Sequence, residues 1–182
     1  NHSESEFYLD NYNKLSSVLK DLGNKKKKII LFGVSYALID FAKKYPVEMK
    51  NLIIVETGGM KGRKKEITRD ELHLTLKKAF GTNHIHSEYG MTELFSQAYS
   101  FKNGKFINPP WMKTLIRNIN NPLMVSKFGR GAINIIDLAN EHSCAFVATN
   151  DVGEVFKNKS YTISGRISEA EIRGCNLMFN DN

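Results

Sequence analysis

Between residues 11 and 87 the chain alternates two hydrophobic periods, and this alternation narrows the folds open to it. Leu15, Val18, Leu19 and Leu22 share one helical face and Gly23 follows as a stop, which predicts a helix over residues 11–22. Ile29, Ile30, Leu31 and Phe32 then form a continuous apolar run of the length of a buried strand. Gly33-Val34-Ser35 turns into a second helix, with Leu38, Ile39, Phe41 and Ala42 apolar, Lys43 and Lys44 at the carbonyl end of its dipole, and Pro46 closing the region. Residues 52–55 are another apolar run. Thr68 and Glu71 have capping-box spacing, Ile67 and Leu72 have the staple spacing, and Leu72, Leu76, Ala79 and Phe80 make a buried face before Gly81. A further strand runs through Ser87. Strands separated by helices require crossover connections, so this order predicts a parallel sheet with flanking helices.

After residue 105 the pattern changes. Residues 132–138, 145–149, 153–156 and 161–164 read as short strands between turn residues, with a hairpin around Asn158-Lys159. The expected class is α/β, a parallel sheet with flanking helices followed by a smaller β-rich subdomain. The composition shift over residues 101–108 divides it into portions 1–105 and 106–182 of one larger domain.

With 182 residues and 41% hydrophobic content the chain can bury one substantial core. Its longest apolar stretch, residues 29–42, is interrupted by Gly33, Ser35 and Asp40 and falls short of the roughly 20 residues of a membrane span. Two cysteines, Cys144 and Cys175, make no disulfide framework, which favours a reducing compartment and the cytoplasm. The net charge of +7 comes with no nucleic-acid motif, and Lys25 to Lys28 read as a solvated turn before a buried strand, so nucleic acid is not expected as a partner. The start at Asn1 rather than methionine reads as a piece of a longer protein.

Several strings carry chemistry. Glu88-Tyr89-Gly90-Met91-Thr92-Glu93 reads locally as a strand end, a glycine turn and a helix start capped by Thr92, at the carboxyl end of a parallel strand where such sheets bind ligands. Thr149-Asn150-Asp151-Val152-Gly153 reads as a turn between strands. Gly58-Gly59 permits close ligand approach, with Lys61 and Arg63 nearby either as positive charge for that ligand or as a solvated loop. His84 and His86 lack the companions of a tetrahedral metal site and read as strand residues. Cys144, in an expected strand, reads as a small buried residue.

These strings, in this order, together with Glu56-Thr57-Gly58-Gly59-Met60-Lys61-Gly62-Arg63, Ile136-Asp137-Leu138-Ala139-Asn140, Gly165-Arg166 and Glu171-Ile172-Arg173-Gly174-Cys175, resemble the carboxyl-terminal half of acyl-protein synthetases of the bacterial luminescence (fatty acid reductase) type. That family belongs to the adenylate-forming enzyme superfamily. The resemblance implies ATP and Mg2+ as cofactors, a fatty acid as substrate and an acyl-accepting reductase subunit as partner. It implies that Gly58, Gly59 and the Tyr89-Gly90-Met91-Thr92 turn hold nucleotide, with Tyr89 flanking the adenine and Thr92 contacting phosphate. Glu93 would bind magnesium, Asp151 the ribose hydroxyls, and Arg166 the same nucleotide region; Cys175 would accept the acyl group as a thioester, with Arg173 and Gly174 beside it.

Three departures shape the expectation. Asn150 stands where the superfamily usually has glycine, a change a turn tolerates because Asn also visits left-handed conformations. No Ser/Thr/Gly-rich phosphate loop is present, so the isolated chain is expected to be inactive. Ser168 stands where coenzyme-A ligases carry a hinge aspartate or lysine, which favours self-acylation. The rival readings are a phenylacetate-coenzyme-A-ligase-like enzyme and a non-catalytic nucleotide-binding module.

Overall fold

The computed structural model describes residues 5–25, 27–58 and 67–167. The chain divides into two compact units, Asn1–Glu88 and Tyr89–Asn182.

The first unit runs α1 (Tyr12–Gly23), β1 (Ile29–Val34), α2 (Ser35–Lys44), β2 (Leu52–Thr57), α3 (Arg69–Phe80) and β3 (Ile85–Tyr89), whose last residue opens the second unit. Local chemistry sets the helix ends. The Asn11 side chain accepts from the Lys14 amide, and Thr68 and Glu71 form the full capping box, worth about 1 kcal/mol. Gly81 ends α3 in the left-handed conformation at φ +62°. β1 pairs with β2 and β2 with β3, both parallel, placing Ile29 opposite Leu52 and Ile54 opposite Ile85. The core joins Leu19, Leu38, Phe41, Leu52, Ile54, Leu72, Leu76 and Phe80, and the Phe41 and Phe80 rings stack at 5.8 Å. Ile67 packs against this cluster, as its staple spacing predicts. The strand–helix alternation is therefore as expected, with β1 extending through Val34 rather than ending at Phe32.

The second unit contains β4 (Ala98–Lys102), β5 (Lys105–Ile107), β6 (Met112–Arg117), β7 (Val125–Ser126), β8 (Gly129–Asp137), β9 (Phe146–Val155) and β10 (Tyr161–Arg166). Their order is β4-β5-β10-β9-β8-β6-β7, antiparallel throughout. The core gathers Leu94, Ala98, Phe106, Ile116, Ile133, Ile135, Val155 and Tyr161. The hairpin at Asn158-Lys159 is present, closed by Phe156 N donating to the Ser160 carbonyl at 2.8 Å.

Three expectations are corrected here. The segments read as strands 145–149 and 153–156 are one strand, β9, so the Asp151 region is not a turn between strands. Strands β4 to β7 were not expected, although Asn103-Gly104, at φ +54° and +63°, is the dipeptide that a tight hairpin demands. No helix begins at Thr92. The Leu94 amide closes a turn on the Met91 carbonyl at 3.1 Å, while the Phe95 and Ser96 amides, which a helix capped by Thr92 would give to the Thr92 hydroxyl and carbonyl, donate to Asp137.

Candidate functional site

Asp151, Arg166 and Tyr89 converge within the second unit. Between β8 and β9 the register shifts, since Ala132 faces Val152 while Asn134 faces Ala148, so residues 149–151 stand against Ile133 alone. Such a bulge re-aims side chains but leaves backbone groups to satisfy. Thr149 Oγ1 donates to the Ile133 carbonyl at 2.9 Å and accepts from the Asp151 amide at 3.1 Å, and Arg117 reaches the Thr149 carbonyl at 2.9 Å and Asn134 Oδ1 at 2.9 Å. On its other side β9 meets β10 so closely that a Cβ on Gly153 would lie 1.9 Å from the Thr162 carbonyl oxygen. Only glycine fits there. Past this point the β9–β10 register shifts between Ile163 and Gly165, and Asp151 then stands opposite Arg166, whose Nε lies 3.2 Å from Asp151 Oδ1.

Tyr89 donates its hydroxyl to Asp151 Oδ2 at 2.7 Å, and its ring packs 5.8 Å from Phe106 and 5.9 Å from Tyr161. Burial, and then the Asp151 carboxylate, push the Tyr89 phenol far above its ordinary range, so it stays protonated and remains a donor. A carboxylate offers about four lone-pair positions. Asp151 commits one oxygen to Tyr89 and the other to Arg166, leaving capacity to accept hydroxyl groups, as a ribose diol requires.

The rest of the 88–93 string follows as a turn. Gly90, Thr92 and Glu93 are exposed, Met91 packs partly against the second core, and Leu94 is buried. Their backbone is held from the end of β8, where Asp137 and Asn140 bond residues 93, 95 and 96. Among the described residues no group of three or more His, Cys, Asp or Glu could hold a metal. An ion carried on a nucleotide needs only one or two protein carboxylates, however, and the exposed Glu93 suits that demand.

In the first unit, Gly58 adopts φ +66°, a conformation suited to glycine. Behind it lies a buried polar cluster that the sequence reading missed. The Ser35 hydroxyl donates to Glu56 Oε2 at 2.7 Å and lies 3.0 Å from the Gly58 carbonyl; His73 Nε2 and Arg69 Nε lie 3.6 and 3.8 Å from Glu56 Oε1. Ser87 and His73 share a hydrogen bond of 3.3 Å. A charged residue inside the alternating run of β2 was the available signal. His86 lies in β3 and His84 just before it.

Gly59, Lys61, Arg63, Arg173, Gly174 and Cys175 lie outside the described residues. Cys144 corrects its expectation: it is exposed and lies just before β9 outside any strand, with Sγ 3.1 Å from the Phe146 carbonyl oxygen.

No protein-family model and no curated protein matches the chain. Solved structures do. Coronafacic acid ligase from Pectobacterium brasiliense aligns at TM-score 0.60 and 18% identity over 86% of this chain and 32% of its own. ATP-bound MatB from Rhodopseudomonas palustris aligns at TM-score 0.58 and 15% identity over 85% of this chain and 33% of its own. The luciferase-like enzyme of the nonluminescent mealworm Zophobas morio gives TM-score 0.58 and 15% identity, covering 86% and 41%. The chain thus has part of the adenylate-forming enzyme fold, as expected, and spans about a third of the length of the first two of these proteins.

Proposed function

We propose that this chain is the nucleotide-holding part of a ligase that activates a fatty or other carboxylic acid with ATP and passes the acyl group to Cys175, catalysis being complete only in a longer parent protein. One observation carries the reading: on a fold shared with an ATP-bound enzyme, Asp151 is set by a bulge and a glycine-only ladder beside Tyr89 and Arg166, with acceptor capacity to spare. Asp151 then binds the ribose hydroxyls, Tyr89 flanks the base, and Arg166 contacts the same nucleotide region with a guanidinium fork suited to oxygen-rich ligands. Thr92 contacts phosphate. Glu93 holds Mg2+, which when bound neutralises phosphate charge. Gly58 and Gly59 let backbone approach the substrates.

In the first half-reaction a carboxylate oxygen bonds to the α-phosphorus and pyrophosphate leaves with the electron pair of the broken bond. In the second, the Cys175 thiolate bonds to the acyl carbon and AMP leaves, giving a thioester. A reductase subunit of the reading's family would consume it. The cytoplasm fits this chemistry, and among the described residues no helix is long and apolar enough to cross a membrane.

ATP binding to the 182-residue chain, followed by calorimetry or ligand-observed NMR, tests the nucleotide part. Asp151→Ala is expected to weaken it about tenfold or more, with or without metal, since hydrogen bonds to a charged group contribute about 1.5–3 kcal/mol each. Equal affinity in a folded variant removes the ribose assignment. In the parent protein, Cys175→Ser should keep acid-dependent pyrophosphate exchange and lose the hydroxylamine-sensitive acyl label; a label that persists removes self-acylation at Cys175.

A further inference from the structure

Asp137 is fully buried, yet the chemistry above gives it no task. Its Oδ2 accepts from the Phe95 amide at 2.9 Å and the Ser96 amide at 2.7 Å; its Oδ1 accepts from the Ser96 hydroxyl at 2.7 Å and the Ala139 amide at 3.2 Å. The Trp111 indole donates to the Ser96 hydroxyl oxygen at 2.8 Å, leaving that hydroxyl's own proton for Asp137. Asn140 adds a second grip: its Nδ2 donates to the Glu93 carbonyl at 2.9 Å and the Cys144 carbonyl at 2.9 Å, and its Oδ1 accepts from Ser143 at 2.6 Å.

The pattern of donors is specific. Three of the four groups on Asp137 belong to the residues just after Glu93, and Asn140 takes the carbonyl of Glu93 itself. Leu94 is sunk in the core between them, at 7% exposure, while the Thr92 and Glu93 side chains face solvent. An isolated buried carboxylate would be costly, and here each oxygen accepts from the turn after Glu93, with the Ala139 amide as the one further donor. That turn therefore cannot relax without uncovering a buried charge.

We propose that Asp137 and Asn140 are positioning residues for Glu93, fixing the peptide that presents its carboxylate to nucleotide-bound magnesium. The inference rests on the nucleotide reading above. Partners that orient a metal ligand without touching the metal commonly alter metal affinity by about 10–100-fold.

The test uses Asp137→Asn and Asn140→Ala in the 182-residue chain, with Trp111, its single tryptophan, as reporter. Without ligand, Asp137→Asn should shift the indole N–H resonance and speed amide exchange at Phe95 and Ser96, leaving Ile133 and Val155 protected; an unmoved indole and unchanged exchange would overturn the clamp. With ligand, the gain in ATP affinity on adding Mg2+ should fall about tenfold in both variants, while metal-free ATP affinity stays within about twofold. A full magnesium gain in both folded variants overturns the positioning role and leaves the nucleotide reading standing. Wild-type protein that binds no ATP overturns both. Should Asp137→Asn unfold, Asn140→Ala decides by the same two affinities, because it removes only side-chain hydrogen bonds at the rim of the turn.

Discussion

The two units dispose of their buried carboxylates differently. In the first, Glu56 is 4% exposed and enclosed by Ser35, His73 and Arg69, all supplied by helices that pack on the parallel strands. Its charge is spent inside the fold. In the second unit no helix is present among the described residues, and the carboxylates divide the labour: Asp137 secures a turn, while Asp151 stands beside an Arg166 side chain that is 75% exposed. The helices that flank the parallel sheet, α2 and α3, turn Ser35, Arg69 and His73 inward onto Glu56. An antiparallel sheet with bulges can instead aim side chains outward from the middle of a strand. In this way the bulge at residues 149–151 brings Asp151 beside Arg166 within the second unit.

The largest expected effect tests how tightly the second unit is built. Gly153→Ala forces a methyl group into the Thr162 carbonyl, which strand backbone cannot avoid, and should cost about 3 kcal/mol in denaturant unfolding. Because Asp151 and Arg166 pair on the same two strands, ATP affinity should fall with it. A cost below that of losing a helix cap would mean that the ladder is looser than this contrast requires.

A second experiment sharpens the contrast in charge. Burial alone would raise the Glu56 carboxyl, but hydrogen bonds from His73, Ser87 and Ser35 and the charge of Arg69 outweigh it and hold the group below the ordinary 4.5. With a depressed folded value, the unfolded chain binds the proton first, so the stabilisation is complete above the ordinary value and is lost as pH falls through the folded one. Glu56→Gln should therefore be less stable than wild type at neutral pH, with the two unfolding midpoints converging in acid. A gap independent of pH would show that the charge of Glu56 contributes nothing. Asp137 behaves with the same sign: burial raises it, and the Ser96 hydroxyl with the Ser96, Phe95 and Ala139 amides brings it below 3.8.

The smallest effect belongs to chain-local structure. Thr68→Ala removes one half of the capping box and should cost about 1 kcal/mol, readable as faster amide exchange in the first turn of α3. Ligand affinity should not change. Were it to fall as far as in Gly153→Ala, the contrast between the two units would break.

Much of the first unit could be read from the chain because its instructions are local. Asn11, the Thr68–Glu71 pair and Gly81 act within four residues of the groups they satisfy, and the apolar faces of α2 and α3 repeat at helical spacing. In the second unit the motif strings identified Tyr89, Asp151 and Arg166 as residues to watch, and Asn103-Gly104 offered a hairpin signal that went unread. What brings the site together was not legible. Tyr89 meets Asp151 across 62 residues of chain, and Asp137 meets Phe95 and Ser96 across 42 and 41. The amides of Phe95 and Ser96 fit a helix start as well as they fit Asp137, and nothing within a turn of Thr92 distinguishes the two. Sequence by itself determined the α/β order, the helix ends and the identity of the polar residues, because those depend on neighbours a few residues away. Only the tertiary structure decided the bulge at residues 149–151, the unhelical turn after Glu93 and the enclosure of Glu56, because each depends on a partner that chain folding alone brings within hydrogen-bond reach.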